Sequence, residues 1–344
     1  MCSVHQSADV EPAVDLVAPK VRLQTGVGDG WAHDVATMNS GPGLSRRTFI
    51  AGALSAVTST GFGFSSPTRP YRYSGATLKP PTVCWLGING LELRLPGLTL
   101  LIDPCVSRAH ASPISNPANV ARYIGDADAI FLTHSHWDHL IDVPLVVEQT
   151  GARVYGSDTT LNICRARGVP EDRLTRIGHG MRLDLAKDVT VRVIRSKHKE
   201  PVGAPGFYTQ VPAVLNARAH YLCGDVFAFL FDIDGLRLLN IGSSNLDPAA
   251  IKGTAFDLFF CGVSNFFDRP GFPQLVHDNI VFKTLIPTHH DAFARYELVR
   301  YETEDISALM KGDFVRFKDE LKRIAPYSDE RFRELVPLRT VALG

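Results

Sequence analysis

A short apolar run that ends in a cluster of histidines constrains the fold of this chain most strongly. Residues 129–132, Ala-Ile-Phe-Leu, have the pattern of a buried strand, and residues 133–139, Thr-His-Ser-His-Trp-Asp-His, follow it directly. Histidine accounts for only 12 of the 344 residues, so three within six positions, interleaved with Asp138, form a motif. Imidazole nitrogens and carboxylate oxygens are ordinary ligands of zinc and similar divalent metals. The pattern predicts a metal site on a loop at the rigid edge of a sheet.

Length and composition indicate one globular catalytic domain. Hydrophobic residues make up 45% of the chain and charged residues 21%, which supplies enough apolar surface for a large core. No break in composition follows residue 80, and we therefore predict one catalytic domain over residues 80–344. The formal net charge is zero, which provides no electrostatic attraction for nucleic acid. We expect no nucleic-acid partner, and the sequence does not indicate an oligomeric state.

Hydrophobic periodicity predicts alternating strands and helices along this domain. The predicted strands are residues 83–88, 91–95, 98–102, 128–133, 153–155, 189–194, 226–233, 236–241, 258–261 and 284–286. The predicted helices are residues 142–148, 158–167, 274–281 and 305–324. Strand-rich halves with interspersed helices indicate an α+β fold, with two sheets in the middle and helices outside them.

The N-terminal region has the pattern of an export signal. Residues 45–50, Ser-Arg-Arg-Thr-Phe-Ile, resemble a twin-arginine motif, and an apolar segment rich in small residues follows to about residue 64. That segment is shorter than the roughly 20 residues that a membrane helix needs. We therefore expect a cleaved twin-arginine signal over residues 38–66, with Met38 as the true start, after an over-long or disordered extension over residues 1–37. The mature protein would be periplasmic or secreted, without a transmembrane segment.

The histidine motif resembles that of a known superfamily. The pattern H-x-H-x-D-H, after a strand that itself follows Leu-Ile-Asp-Pro at residues 101–104, is similar to the metallo-β-lactamase superfamily. The similarity extends over about residues 82–293. Trp-Leu-Gly at residues 85–87 and Pro-Thr-His-His-Asp-Ala-Phe at residues 287–293 look most like the branch of ascorbate-6-phosphate lactonase and N-acyl-phosphatidylethanolamine phospholipase D. The resemblance implies an αβ/βα four-layer sandwich, the metallo-β-lactamase fold, with metals at one edge of the sheets.

The resemblance implies a first metal position that is formed by three histidines. His134 and His136 match the first two ligands of the family pattern. The third ligand should be a histidine at the end of a later strand. His198, after the strand at residues 189–194, fits that place better than His179, which has a turn-like context.

The resemblance implies a second metal position with a mixed ligand set. Asp138 and His139 match its first two ligands. The last ligand should be a histidine that follows a strand and a proline, and His289 fits, with His290 as the adjacent alternative. Asp103 matches an early aspartate of the family that orients ligands through hydrogen bonds.

The sequence departs from the family pattern at one position of the centre. Members of this branch usually have Gly-Asp-Thr after a strand, with the aspartate bridging both metals, but residues 239–244 read Leu-Asn-Ile-Gly-Ser-Ser. Ser243 thus replaces the bridging carboxylate, and a neutral hydroxyl is a poor metal ligand. Three outcomes remain open: water alone bridges two metals, only the first position fills, or the protein has become a binder with little catalytic activity.

The resemblance implies a metal-dependent hydrolase that uses a metal-activated water on an ester, lactone or phosphodiester. Asp138 would ligate a metal and orient the attacking water, and Ser243 could hydrogen-bond that water. His290 or His220 would donate a proton to the leaving group or bind an anionic substrate. We expect one or two zinc ions, with manganese or iron as alternatives, and a small-molecule or lipid-like substrate. The alternative functions are a β-lactam hydrolase and a metal-holding binding protein.

Overall fold

The computed structural model describes residues 80–108, 113–268, 271–291, 297–305, 310 and 312–343, all within the unit Pro67–Gly344. The strands of this part of the chain are β1 (Thr82–Gly87), β2 (Gly90–Leu95), β3 (Leu98–Ile102), β4 (Ala129–Phe131), β5 (Arg153–Gly156), β6 (Leu174–Arg176), β7 (Arg182–Ala186), β8 (Val189–Arg195), β9 (Phe227–Ile233), β10 (Leu236–Ile241), β11 (Thr254–Gly262), β12 (Ile280–Thr288) and β13 (Thr340–Ala342). The predicted extension over residues 1–37 and the predicted signal over residues 38–66 lie outside the described residues.

Eight short to medium helices accompany these strands in the same part of the chain. They are α1 (Pro117–Tyr123), α2 (Trp137–Leu140), α3 (Val143–Thr150), α4 (Asp158–Ala166), α5 (Pro248–Ile251), α6 (Phe272–Asn279), α7 (Arg300–Thr303) and α8 (Asp313–Ile324). Single 3-10 turns lie at Glu171–Arg173, Arg218–His220, Phe266–Asp268 and Asp329–Arg331. None of the described helices is both long enough and apolar enough to cross a bilayer.

The strands form two mixed sheets. The first sheet has the order β13-β1-β2-β3-β4-β5-β6, and the second has the order β12-β11-β10-β9-β8-β7. Strands β3 to β6 pair in parallel, as do strands β10 to β12. Because the carboxyl ends of adjacent parallel strands lie at the same edge of a sheet, the loops after β3 and β4 meet. The loops after β10, β11 and β12 meet in the same way at the edge of the second sheet.

Alternate side chains of each strand enter different cores, as the pleat of a strand requires. Phe131 and Phe229 belong to the core between the two sheets, whereas Ile130 faces α1, α3 and α4 on the outside of the first sheet. Leu230 faces α6 and α8 on the outside of the second sheet. Strands that are buried on both faces read as continuous apolar runs in the sequence. The layers run helix, sheet, sheet, helix, which confirms the predicted αβ/βα sandwich.

The predicted helix over residues 274–281 was wrong at its end. Helix α6 stops at Asn279, whose side-chain Nδ2 donates to the carbonyl of Leu275 at 2.8 Å. Ile280 and Val281 are extended and open β12, where they pair in parallel with β11. Two β-branched residues in a row favour a strand, and the partner strand offers them a ladder that a helix could not use.

The predicted helix over residues 305–324 was too long. Helix α8 begins at Asp313, with Gly312 as its N-cap, and Met310 forms an isolated β-bridge with Asp291. Residues 306–309 and 311 lie outside the described residues. The apolar stripe is real from residue 314 onwards, because Phe314, Phe317 and Leu321 pack in the outer core of the second sheet.

Candidate metal centre

The histidine motif lies where β4 leaves the first sheet. Thr133 donates its backbone N–H to Oδ1 of Asp103 at 2.8 Å, and Ser135 donates its own to the carbonyl of Cys223 at 3.1 Å. These two bonds hold the loop between Asp103, which follows β3, and Cys223, which precedes β9. His136 is the N-cap of α2, so Asp138 and His139 lie within that one short helix. The motif therefore presents two histidines from an extended loop and two further donors from a helical turn.

Three histidines to which the family pattern points lie together and form the first group of donors. The ligand atoms of His134, His136 and His198 all lie within 4.8 Å of one another. Nε2 of His134 is 3.1 Å from Nδ1 of His136. The ring of His198 lies 5.0 Å and 4.7 Å from the rings of His134 and His136. His198 follows β8, and Asn245 donates its Nδ2 to the His198 carbonyl at 2.8 Å.

A carboxylate and two histidines form the second group. The ligand atoms of Asp138, His139 and His289 also lie within 4.8 Å of one another. Oδ2 of Asp138 is 3.4 Å from Nε2 of His289 and 3.9 Å from Nε2 of His139. His289 follows β12 with a φ of +58°, and its N–H donates to the carbonyl of Ile88 at 2.6 Å. The two groups adjoin, because the ring centroids of His134 and His139 are 3.9 Å apart.

Asp103 fixes the tautomers of one histidine in each group. Its Oδ2 accepts from Nδ1 of His139 at 2.7 Å, which leaves Nε2 of His139 facing the second group. The same Oδ2 accepts the hydroxyl proton of Thr133. Thr133 Oγ1 therefore accepts from Nδ1 of His134, 3.1 Å away, and Nε2 of His134 keeps its lone pair for the first group. Asp103 thus hydrogen-bonds one histidine of the second group directly and is connected to one of the first group through Thr133.

The charge states of these side chains suit a metal centre. Burial is the largest cause that lowers the pKa of His134, His136 and His198, and for His198 the pKa falls to about 3. These imidazoles are neutral at pH 7, with lone pairs available. Burial would raise the pKa of Asp138, but His139 and His289 outweigh it and the net shift is downward. The ionised carboxylate of Asp138 and the neutral imidazoles of the first group are donors that fit divalent metal ions.

Burial and charge act in opposite directions on His139. Burial lowers its pKa, but the carboxylates of Asp103 and Asp138 outweigh that effect and the net shift is upward. Without a metal, His139 therefore holds a proton more strongly than the histidines of the first group. A metal ion in the second group would have to displace that proton from Nε2, because Nδ1 is bonded to Asp103.

The alternative histidines lie elsewhere. His179 accepts from the N–H of Arg195 at 3.1 Å and lines a different cavity. His290 is fully buried, stacks on Trp85 with ring centroids 4.8 Å apart, and has Nε2 3.1 Å from Oε1 of Glu334. The structure thus brings His198 and His289, the favoured residues of the two pairs, into the donor groups.

Neither residue predicted to act on the leaving group lies at the cavity. His290 packs into the protein as described above, and His220 lies on the 3-10 turn Arg218–His220, where its Nδ1 accepts from the N–H of Asn216 at 3.4 Å. The described residues that line the cavity include neither of them. Proton donation to a substrate, or substrate binding, by His290 or His220 stays a prediction.

Ser243 lies beside the donor groups without belonging to them. Its hydroxyl accepts from the backbone N–H of Lys199 at 3.1 Å. Among the described residues, Asp138 is the one carboxylate in the two groups, so the structure contains no bridging carboxylate there. The hydroxyl that stands at the expected bridge position holds the segment after His198 instead.

A cavity of about 360 Å³ opens over the donor groups. Five donors line it together with Lys199, Pro201, Gly203, Ser243, Ser264 and Asn265. No sequence pattern indicated Lys199, Ser264 or Asn265 as residues of the site. Asn265 has a φ of +49°, and its N–H donates to Oδ2 of Asp313 at 3.1 Å. The signal that could have found Ser264 and Asn265 is their position after β11, because the ends of β10, β11 and β12 meet at one edge.

The chain is similar to known proteins in sequence and in fold. Residues 99–263 match the model of the beta-lactamase superfamily domain. A UPF0173 metal-dependent hydrolase of Pyrobaculum calidifontis is 34% identical over 238 residues, which cover 66% of this chain and 91% of the relative. A second, of Pyrobaculum neutrophilum, is 29% identical over 235 residues with the same coverage. The solved structure of Igni18, a metallo hydrolase from Ignicoccus hospitalis, matches with a TM-score of 0.50 and 13% identity, over 77% of this chain and 99% of that one.

We predict that His198 titrates near pH 3 in the metal-free protein, far below the usual value of 6.5. The unfolded chain takes up this proton near pH 6.5, whereas the folded chain takes it up near pH 3. Falling pH therefore lowers the free energy of unfolding through this window. Nuclear magnetic resonance of the imidazole protons measures the titration, and urea unfolding measures the stability. His198→Gln should make the stability less dependent on pH, and a His198 that titrates at or above 6.5 would contradict the prediction.

Proposed function

Because the chain belongs to the UPF0173 metal-dependent hydrolases of the metallo-β-lactamase superfamily, we propose that it hydrolyses an ester, lactone or phosphodiester at a centre of two metal ions. The observation that carries the proposal is the pair of adjoining donor groups, each with three side-chain ligands. Three protein ligands per ion leave coordination positions open, which is the arrangement of a catalytic site. Zinc suits the five imidazoles best, with manganese or iron as alternatives for the group that contains the carboxylate.

The side chains around the centre have separate tasks in this proposal. When bound, the ions would acidify a water and polarise the oxygen of the scissile bond. His134, His136 and His198 would hold one ion, and the second group would hold the other. Asp138 would also orient the attacking water, because its carboxylate accepts hydrogen bonds and lines the cavity. Asp103 would act through His139, whose ring it keeps in one tautomer.

The side chains that line the cavity favour the proposal of an anionic or strongly polar substrate. The residues that line the cavity include Lys199, Ser264 and Asn265, whose side chains are a cation, a hydroxyl and an amide. With only one carboxylate ligand for two divalent ions, the loaded centre would carry net positive charge, which attracts anions. We propose a small-molecule or lipid-like substrate with a phosphodiester, or with an ester or lactone beside a negative group. The sequence resemblance to the lactonase and phospholipase D branch supports the same choice.

Ser243 supports a second candidate function. The hydroxyl cannot replace a bridging carboxylate as an anionic ligand, so the second ion would bind less tightly than it would with an aspartate at this position. A chain that retained only the first ion would be a metal-holding binding protein with weak catalysis. A β-lactam hydrolase is the remaining alternative, since six ligands without a bridging carboxylate are compatible with that chemistry.

We predict two metal ions per chain in protein purified from residue 67 onwards without chelators, and one in His139→Ala. His139 supplies a ligand to the second group only, so the first group should keep its ion. Elemental analysis per chain measures both contents. His220→Ala is the matched control, because His220 lies away from the cavity, and it should keep two ions. One ion in the unchanged chain, with the same content in His139→Ala, would contradict the two-metal proposal.

We predict hydrolysis of a model phosphodiester such as bis(p-nitrophenyl) phosphate, a p-nitrophenyl ester or a lactone, and no hydrolysis of a chromogenic β-lactam. Ser243→Asp would supply the missing carboxylate and should raise the affinity for the second ion by about tenfold or more. If the natural protein is already an enzyme, this variant should change the rate modestly. Turnover that emerges only in Ser243→Asp would favour the binding protein, and turnover of the β-lactam alone would favour the third candidate.

We propose that the protein is exported to the periplasm or secreted through a twin-arginine signal over residues 38–66. The support is the Arg46-Arg47 pair, followed by a short and weakly apolar segment. Replacing both arginines by lysine keeps the charge and should leave the precursor in the cytoplasm. Cell fractionation of a bacterial host with a functional twin-arginine system measures this. Equal amounts of the processed form outside the cytoplasm for both chains would contradict the proposal.

A further inference from the structure

Asn89 is buried beneath the second donor group, in the turn between β1 and β2. The side chain is fully inaccessible to solvent, and an amide in such a position needs partners for both of its ends. Its neighbour Ile88 accepts from the N–H of His289, one of the donors. The turn therefore already contacts the centre through its backbone.

The amide of Asn89 joins residues of both sheets. Its Nδ2 donates to Oδ2 of Asp103 at 2.7 Å, after β3 of the first sheet. Its Oδ1 accepts from Oγ1 of Thr288 at 2.8 Å, at the end of β12 in the second sheet. The amide of Asn240, in β10, lies 3.2 Å from Nδ2 and 3.3 Å from Oδ1. The carboxylate can only accept and the hydroxyl proton needs an acceptor, so the orientation of the amide is determined.

We propose that Asn89 is a positioning residue that sets the geometry of the second metal position; the inference rests on the proposed two-metal function. Asp138 and His139 come from the first sheet, and His289 comes from the second. Asn89 fixes His139 through Asp103, and it fixes the end of β12 through Thr288, which directly precedes His289. The side chain of Asn89 thereby fixes the relative positions of ligands that come from opposite sheets.

The first metal position depends much less on Asn89. His134 is connected to Asp103 through the hydroxyl of Thr133, and Asp103 also accepts from the backbone of Thr133. None of these bonds involves Asn89. His198 is held by Asn245 and lies on a different segment. Asn89 reaches the first position only in two steps, through Asp103 and then Thr133. Loss of its amide should therefore weaken binding of the second ion more than binding of the first, whereas a general loss of stability would weaken both equally.

The test compares Asn89→Ala and Thr288→Val with matched controls. Thr288→Val keeps the shape and removes only the hydroxyl, whereas Thr288→Ser keeps the hydroxyl. Asn162→Ala removes another buried amide, one that donates to the carbonyl of Tyr208 and lies outside both donor groups. Zinc titration against a chromophoric chelator measures the affinity of each ion. Exchange of the Nδ1 proton of His139, followed by nuclear magnetic resonance on metal-free protein, measures the hydrogen bond to Asp103 without any metal.

We expect Asn89→Ala and Thr288→Val to weaken binding of the second ion by about 10–100-fold and to weaken binding of the first ion much less. The His139 Nδ1 proton should exchange faster in both variants, and Thr288→Ser and Asn162→Ala should behave as the unchanged chain. If Asn89→Ala does not fold, the comparison of Thr288→Val with Thr288→Ser decides. Unchanged affinity for the second ion, equal weakening of both ions, or the same weakening in Asn162→Ala would overturn the inference.

A different result would reject the proposed function while still testing Asn89. If the unchanged chain binds a single zinc ion, the two-metal proposal fails. Proton exchange at His139 then decides on the metal-free protein: faster exchange in Asn89→Ala and Thr288→Val supports the positioning role, and unchanged exchange overturns it.

Discussion

The buried carboxylate of Asp103 is the interaction on which the candidate centre depends. It is fully inaccessible to solvent, and an anion in that position is costly unless donors surround it. Four donors do so: the backbone N–H and the hydroxyl of Thr133, the amide of Asn89 and Nδ1 of His139. The carboxylate therefore has a single favourable arrangement of neighbours. That arrangement orients one histidine of each donor group toward the cavity.

The two sheets make this arrangement rigid. Donors and their partners follow the carboxyl ends of strands in both sheets. The distances between the donors are therefore fixed by the packing of one sheet on the other. The approach is close: a Cβ at Gly242, after β10, would lie 2.2 Å from Oγ1 of Thr133, after β4. Only glycine permits that distance. Apolar packing is not directional. The hydrogen bonds of Asn89 therefore supply the specific orientation of side chains that packing alone does not.

The sequence allowed prediction of the fold and of the donors that lie close together in the chain. Strand runs that are buried on both faces are unmistakable, and the H-x-H-x-D-H motif is local, so neither depends on knowing the tertiary structure. The choice between His289 and His290 does depend on it, because a φ of +58° at His289 separates two adjacent side chains. Helix α6 ends before Ile280 because the following residues pair with β11. The helix and strand propensities of single residues do not reveal that partner strand. Lys199 and Asn265 were missed for the same reason: only the folded chain brings their loops to the cavity.

The serine at the expected bridge position has a physical consequence for the first donor group. Ser243 accepts from the N–H of Lys199, and Asn245 donates to the carbonyl of His198, so residues 243–245 hold the segment that carries the third histidine. An aspartate at 243 that bridged two ions would have its oxygens engaged by metal, and the Lys199 N–H would lose its acceptor. The serine thus removes an anionic ligand from both metal positions, but it fixes the backbone of the segment that carries His198. The first position therefore has a support in residues 243–245 that is separate from the hydrogen bonds made by Asn89.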